Sequence, residues 1–174
     1  MKKKLSNLFG AWILDARFEE KKDLLKQVLL FSDIPEHERG MLVQALFEKT
    51  YQEGETLFEE GDIGRGLFIV ESGAVELTKR GRDGRPQQLA VAGPGDFFGE
   101  MALLEEMPRS ATARALEETK IFLLYKAKLD ALLLSRPRAG VPILRRLAQL
   151  LSARVRLASE KLVSGAIVLN KEQG

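Results

Sequence analysis

The most informative segment of the chain is Phe97-Phe98-Gly99-Glu100-Met101-Ala102-Leu103-Leu104-Glu105-Glu106-Met107-Pro108-Arg109-Ser110-Ala111-Thr112. Residues 100–106 have helical propensity, and N–H groups at the start of a helix present partial positive charge to an anion. Arg109 follows the stiff Pro108 and carries a planar set of N–H donors that matches phosphate oxygens. The carboxylate of Glu100 would repel phosphate, but it can accept hydrogen bonds from sugar hydroxyls. This segment therefore predicts a site for a nucleotide ribose and phosphate.

The spacing within this segment also carries a family resemblance. The pattern begins with Phe98-Gly99-Glu100-x-Ala102-Leu103, continues with Pro108-Arg109 and closes on Ser110-Ala111-Thr112. It resembles the phosphate-binding cassette of cyclic nucleotide-binding domains, a family that includes the catabolite activator protein, kinase regulatory subunits and cyclic nucleotide-gated channels. The alternative is a surface helix with a structural arginine.

Two earlier motifs extend the resemblance over roughly residues 24–150. They are Gly54-Glu55-x-Leu57-Phe58-x-x-Gly61-Asp62 and Leu67-Phe68-Ile69-Val70-x-Ser72-Gly73-x-Val75. Both resemble the early strands of the family, and we expect Leu57, Phe58, Leu67 and Phe68 to pack in the interior of the roll. The glycines of residues 61–66 lack the Gly-Lys-Ser/Thr ending of a Walker phosphate loop, which excludes that type of site.

The resemblance implies roles for individual residues. Glu100 is expected to accept the ribose 2′-hydroxyl, Arg109 to bind the cyclic phosphate, and Ser110 to donate to phosphate or base. Further contacts are expected from the N–H groups of Gly99, Ala102 and Ala111, from Met101, and from the apolar walls Leu89, Val91 and Phe98. A lid over the base is expected from a later helix, through Leu147, Leu150 and Arg154.

Composition excludes several classes of site. The 174 residues include no cysteine and one histidine, so disulfides, iron–sulfur clusters and Cys/His zinc sites are excluded. His37 lies in a polar run that is typical of the exposed first turn of a helix, so neither a catalytic nor a metal role is expected. The net charge of +2 does not by itself indicate nucleic-acid binding. We therefore predict no enzymatic activity, no metal and no cofactor beyond the bound ligand.

Residues 1–46 form a predicted N-terminal helical segment. Apolar residues at helical spacing indicate two pieces between Leu5 and Leu30, and Pro35 is expected to open a further helix over residues 36–47. The first piece is basic and amphipathic, so it could lie on a membrane, although docking on protein is the more common use and membrane association is not expected. Without a signal peptide or a membrane-spanning run of about 18 residues, a cytoplasmic protein is predicted.

Residues 47–125 have the sequence pattern of a β-roll, in which short apolar runs are separated by glycine turns. The predicted strands cover residues 47–51, 56–58, 67–71, 75–79, 87–91, 111–115 and 121–125. The cassette, residues 97–112, would be the one helical insertion in this roll.

Residues 126–174 are predicted to return to helix. A short helix over residues 128–135 precedes a long one that begins at Pro137, although Pro142 could move its start to about Val141. A heptad seam runs through Leu144, Ala148, Leu151, Val155, Ala158 and Leu162. A homodimer through this seam is one interpretation, and packing of the helix on its own roll is the other.

Together these features predict an α+β fold, mainly β, with a β-roll, N-terminal helices, a short cassette helix and a long C-terminal helix. The predicted function is that of a cyclic nucleotide sensor, with cAMP favoured over cGMP, that signals to an unidentified protein partner by rearranging its helices. No helix-turn-helix follows the long helix, so we expect a stand-alone member without DNA binding.

Two other functions are compatible with a β-roll. A scaffold that keeps the roll without binding ligand would be favoured by loss of Glu100 or Arg109, but both are present. A cupin-like metal oxygenase on a similar roll needs clustered histidines, which a single histidine cannot supply.

Overall fold

A computed structural model describes residues 16–171 of the chain, with side chains from residue 16 to residue 160. The first predicted helical piece therefore lies outside the described residues. Helix α1 covers residues 16–27 and is followed by a 3-10 turn at Leu29–Phe31. The other helices are α2 (Glu36–Ala45), α3 (Lys126–Ser135) and α4 (Pro137–Lys171).

Between α2 and α3 the chain forms a β-roll. Its strands are β1 (Phe47–Tyr51), β2 (Thr56–Phe58), β3 (Gly66–Ser72), β4 (Val75–Arg80), β5 (Pro86–Ala92), β6 (Phe97–Phe98), β7 (Thr112–Ala115) and β8 (Thr119–Tyr125). Within the described residues these strands form two antiparallel sheets, with the orders β1-β8-β3-β6 and β2-β7-β4-β5. The predicted fold class, a mainly β roll with flanking helices and a long C-terminal helix, is confirmed.

Two hydrophobic clusters hold these layers together. One lies between the sheets and contains residues of β1 and β3 through β8; the other joins β3 and β8 to helices α1 to α4. Strand β3 serves both, because successive side chains of a strand point to opposite faces. Phe68 and Val70 pack between the sheets, whereas Leu67 and Ile69 pack against the helices. The expectation that Leu67 packs inside the roll was therefore wrong.

Several predicted boundaries differ from the structure. Helix α2 ends at Ala45 rather than at residue 47, because Leu46 is already extended and leads directly into β1. The cassette helix is a single 3-10 segment, Glu100–Leu103, and does not reach Glu106. The two-residue strand β6 was not predicted. It pairs with β3 through Phe98 opposite Phe68, which ties the start of the cassette to the first sheet.

The long helix begins at Pro137 and continues through Pro142, so the predicted later start near Val141 was wrong. A proline at this point lacks the N–H that would bond the carbonyl of residue 138, and the loss is confined to the beginning of a long helix. Gly140 permits close packing on α3: an added Cβ would lie 2.9 Å from the Cα of Leu133.

Helix α1 is attached to the first sheet by a charged contact. The two terminal nitrogens of Arg17 donate to the two carboxylate oxygens of Glu71 on β3, at 2.6 and 2.8 Å. Arg17 also donates to Glu48 on β1 at 2.6 Å, and its guanidinium lies 5.8 Å from the ring centroid of Phe122. One side chain thus joins α1 to three strands. None of the helices in residues 16–171 is apolar over enough of its length to cross a membrane.

Candidate functional site

A cavity of about 940 Å³ lies between the cassette, β5 and α4. The residues that the sequence predicted to contact ligand from the roll all line it, namely Leu89, Val91, Phe98, Gly99, Glu100, Met101, Ala102, Arg109, Ser110 and Ala111. The structure therefore brings the two chemically distinct groups of the cassette, the carboxylate and the guanidinium, into the wall of one cavity.

Arg109 is fixed through both its backbone and its side chain. Its N–H donates to the carbonyl of Asp62 at 2.7 Å, and its own carbonyl accepts from the N–H of Gly61 at 2.9 Å. The guanidinium donates to the carbonyls of Gly99, at 3.1 Å, and Gly66, at 2.9 Å. Burial lowers the pKa of this guanidinium, and the carboxylates of Asp62 and Glu100 oppose that shift. An arginine remains charged in proteins, so the cavity wall carries a fixed cation.

The backbone at Gly99 makes this arrangement possible. Gly99 has a φ of +72°, in the left-handed region, and a Cβ added there would lie 2.5 Å from the Nη1 atom of Arg109. Gly64 is also crowded, since its Cβ would lie 2.8 Å from the Cβ of Ala102. Both glycines thus allow the cassette to approach the loop before β3.

Glu100 is the first residue of the 3-10 segment and is only 4% exposed. Its carboxylate forms an ion pair with Arg154 of α4, whose side chain is 57% exposed. A buried carboxylate needs a partner, because an unpaired buried charge is costly. Helix α4 supplies that partner and is thereby connected to the cassette.

The three residues expected in the lid have different positions. Leu150 and Arg154 line the cavity. Leu147 does not, because it is fully buried in the cluster between the first sheet and the helices. The N–H of Ala102, which was expected to assist ligand binding, is already donated to the carbonyl of Gly99 at 3.2 Å.

Other lining residues were missed from the sequence. They are Gln27, Leu29, Phe58, Leu77, Leu157 and Ala158, and, in β5 and around the cassette, Ala90, Ala92, Gly95, Asp96, Phe97, Glu105, Met107 and Pro108. Leu77 pairs with Ala90 across the β4–β5 hairpin, whereas the predicted walls Leu89 and Val91 flank Ala90 on β5, so their alternation did not point to it. Gln27 and Leu29 come from outside the roll, and no local sequence pattern connects them to it.

The single histidine does not line the cavity. His37 has an exposed side chain on α2, 3.7 Å from the carboxylate of Glu38. Among residues 16–171 no cluster of three or more histidine, cysteine, aspartate or glutamate side chains could hold a metal ion.

Comparison with known proteins finds relatives whose names refer to cyclic AMP. A cyclic AMP receptor protein from Thermus thermophilus is 35% identical over 133 residues, which cover 76% of this chain and 60% of the relative. A cAMP-dependent protein kinase regulatory subunit from Yarrowia lipolytica is 38% identical over 109 residues, which cover 63% of this chain and 28% of the relative. The chain thus spans less than two thirds of either relative's length. The first is named as a receptor and the second as a regulatory subunit.

The fold has a solved counterpart. The crystal structure of a cyclic nucleotide-binding domain from Methylobacillus flagellatus matches with a TM-score of 0.73 and 32% identity, covering 86% of this chain and 84% of that one. The family model for the cyclic nucleotide-binding domain matches residues 48–136, half of the chain. Those residues contain the cassette with its buried carboxylate and its fixed arginine, and the chain belongs to the cyclic nucleotide-binding domain family.

Proposed function

We propose that this chain is a regulatory protein that binds a cyclic mononucleotide, cAMP in preference to cGMP, and that it catalyses no reaction. The observation that carries the proposal is the placement of the fixed guanidinium of Arg109 and the buried carboxylate of Glu100 in the wall of one cavity. A cyclic nucleotide presents an anionic phosphate and a ribose hydroxyl side by side. Its chemistry therefore matches these two groups.

The phosphate would be bound by the free donors of Arg109, by the N–H groups of Gly99 and Ala111, and by the hydroxyl of Ser110. Charge-assisted hydrogen bonds of this kind are about twice as strong as neutral ones. The ribose 2′-hydroxyl would donate to Glu100, which has the acceptor oxygens that a hydroxyl needs.

The base would lie against β5. Leu89 and Val91 are 58% and 46% exposed and line the cavity, so a purine would cover apolar surface that is otherwise in water. Leu77 of β4 extends this wall. The preference for cAMP is supported by these apolar side chains and by the names of the relatives, each of which refers to cyclic AMP. Ser110, directly after the arginine, is compatible with either base.

Helix α4 would transmit the effect of ligand binding to the rest of the molecule. The ribose and Arg154 would share Glu100, so ligand binding changes the contact that connects α4 to the cassette. A ligand shifts a conformational equilibrium only through different interactions with the two states. The Glu100–Arg154 pair supplies such a difference, and movement of the helices after Tyr125 is the expected response.

The partner that reads this movement is expected to bind the outer surface of α4. Along the heptad seam Ala148 and Val155 are exposed and do not line the cavity, whereas Leu144 and Leu151 pack against the cluster between the first sheet and the helices. A second copy of the chain is the simplest occupant, because a heptad repeat is complementary to its own copy.

Calorimetric titration of the chain with cAMP and with cGMP tests the proposal. We expect saturable binding of both, tighter for cAMP, and a weakening of about 30-fold or more for Arg109→Ala, since the contact is worth about 2–4 kcal/mol. Arg114→Ala is the matched control, because Arg114 is exposed and donates to Gly54 rather than facing the cavity. Absence of binding at millimolar concentrations of both nucleotides would overturn the proposal and favour the scaffold without ligand.

A further inference from the structure

Three phenylalanine rings lie beneath the anion site. Phe68 and Phe98 stack with centroids 5.3 Å apart and planes at 7°, and Phe58 packs at 5.1 Å from Phe68 and 6.0 Å from Phe98. We call these three rings the aromatic floor. Phe58 belongs to the second sheet, whereas Phe68 and Phe98 belong to the first, so the floor crosses the space between the sheets.

Arg109 rests on this floor. The central carbon of its guanidinium lies 4.2 Å from the centroid of Phe58 and 5.2 Å from that of Phe68. A cation within about 6 Å of a ring centroid is attracted to the face of the ring, and guanidinium groups favour such stacking. Phe58 is therefore the closer and stronger contact.

The aromatic floor stabilises the charge of Arg109 without occupying its N–H donors. A guanidinium has five N–H groups, and the carbonyls of Gly99 and Gly66 each accept a bond from it. A carboxylate beneath Arg109 would stabilise the charge but would compete with phosphate for the remaining N–H groups. An aromatic face stabilises the charge from above or below the guanidinium plane. It therefore accepts no hydrogen bond from the N–H groups, which point outward within that plane. The remaining donors stay available to a ligand in the cavity.

We propose that Phe58, supported by Phe68, is a positioning residue for anion binding, which holds the guanidinium plane of Arg109 so that its free donors face the cavity. The inference rests on the proposed function. It assigns Phe58 a role beyond the packing that its sequence position predicts, and beyond its place among the lining residues of the cavity.

The test is a double-mutant cycle measured by titration with cAMP. Phe58→Leu keeps an apolar side chain but removes the ring face, and we expect it to weaken cAMP binding about three- to tenfold. Phe58→Tyr keeps a ring face, so the affinity of this variant for cAMP should stay close to that of the wild type. In the Arg109→Ala background, Phe58→Leu should produce no further loss, because the ring acts through the arginine.

Tyr51→Leu is the matched control for packing. Tyr51 is a buried aromatic residue of the same cluster between the sheets, and it does not line the cavity. We expect this variant to lower the Tm and to leave the affinity for cAMP unchanged.

The outcomes separate the two proposals. If the wild type binds no cyclic nucleotide, the proposed function fails and this inference fails with it. If the wild type binds and Phe58→Leu either has no effect or weakens binding equally with and without Arg109, the function stands. In that case Phe58 is only a packing residue.

Discussion

Arg109 is a side chain whose position is set by its neighbours in the folded chain. Two backbone carbonyls fix its direction, two rings support its plane, and the glycine at position 99 leaves room for it. Because these constraints exist in the folded chain, the proposed binding of phosphate would cost the arginine little further entropy. The affinity of the site should therefore depend on atoms that never touch the ligand.

Gly99 offers a direct test at the residue scale. Gly99→Ala imposes a left-handed conformation on an alanine and places a methyl group on Arg109, so we expect a loss of stability of about 1 kcal/mol or more and at least tenfold weaker cAMP binding. Denaturant unfolding and titration measure the two effects.

Gly84→Ala is the control for this prediction. Gly84 has a φ of +78° but nothing within 4 Å of an added Cβ. It should therefore share the loss of stability and keep the affinity. Equal affinities of the two variants would show that the space beside Arg109 does not matter.

The sequence predicted more of the residues that line the cavity than of the contacts among them. Glu100 and Arg109 could be predicted because their spacing within one segment is diagnostic. The ion pair between Glu100 and Arg154 joins residues 54 positions apart, and the contact of Arg109 with Phe58 joins the cassette to strand β2. Such pairings depend on how the elements pack, which local patterns do not encode.

At the scale of elements, strands were predicted closely because alternation and glycine turns mark their ends. The exceptions have a common cause in tertiary context. Strand β6 has only two residues and exists because β3 pairs with it. The cassette helix stops at Leu103, and α4 continues through Pro142 while it packs on α3 at Gly140.

The attachment of α1 gives a prediction at this scale. Arg17→Met keeps most of the side-chain volume but removes the contacts with Glu71 and Glu48, so the free energy of unfolding should fall by about 1–2 kcal/mol. Lys26→Met is the control, because Lys26 forms an exposed pair with Asp23 on the same helix and should matter far less. Denaturant unfolding at neutral pH compares the two variants.

The same contact predicts a pH dependence. Burial alone would raise the pKa of Glu48, but hydrogen bonds from Arg17 and Lys21 outweigh it and lower that pKa below its ordinary value of 4.5. A carboxyl with a lowered pKa in the folded state stabilises the fold above its unfolded value and loses that contribution as pH falls through the folded value. The stability difference between wild type and Arg17→Met should therefore shrink below about pH 4.5. A difference that stays constant in acid would contradict this role of Glu48.

At the scale of the whole molecule, α4 is the dominant feature. Its 35 residues correspond to a length of about 52 Å. Only its first part is packed on the roll, through Ala139, Ile143 and Leu147, and beyond Ala153 the described side chains are exposed. A helix of this length, with the apolar Val155 exposed beyond its packed part, is suited to association with another helix.

Val155 tests that association. It is 65% exposed, lies on the seam and does not line the cavity. Light scattering should find a dimer for the wild type and a monomer for Val155→Glu, because a buried unpaired charge is costly. Gln149→Glu adds the same charge to an exposed position outside the seam and should leave the dimer intact. A monomeric wild type would contradict the prediction.

The Glu100–Arg154 pair also has a thermodynamic consequence. If nucleotide binding changes how firmly α4 is held, then whatever holds α4 must change nucleotide affinity by the same factor, since coupling between two sites is reciprocal. The apparent dissociation constant would then rise or fall with the concentration of the partner. Through the single carboxylate of Glu100, the protein would respond to the concentration of its partner as well as to that of the nucleotide.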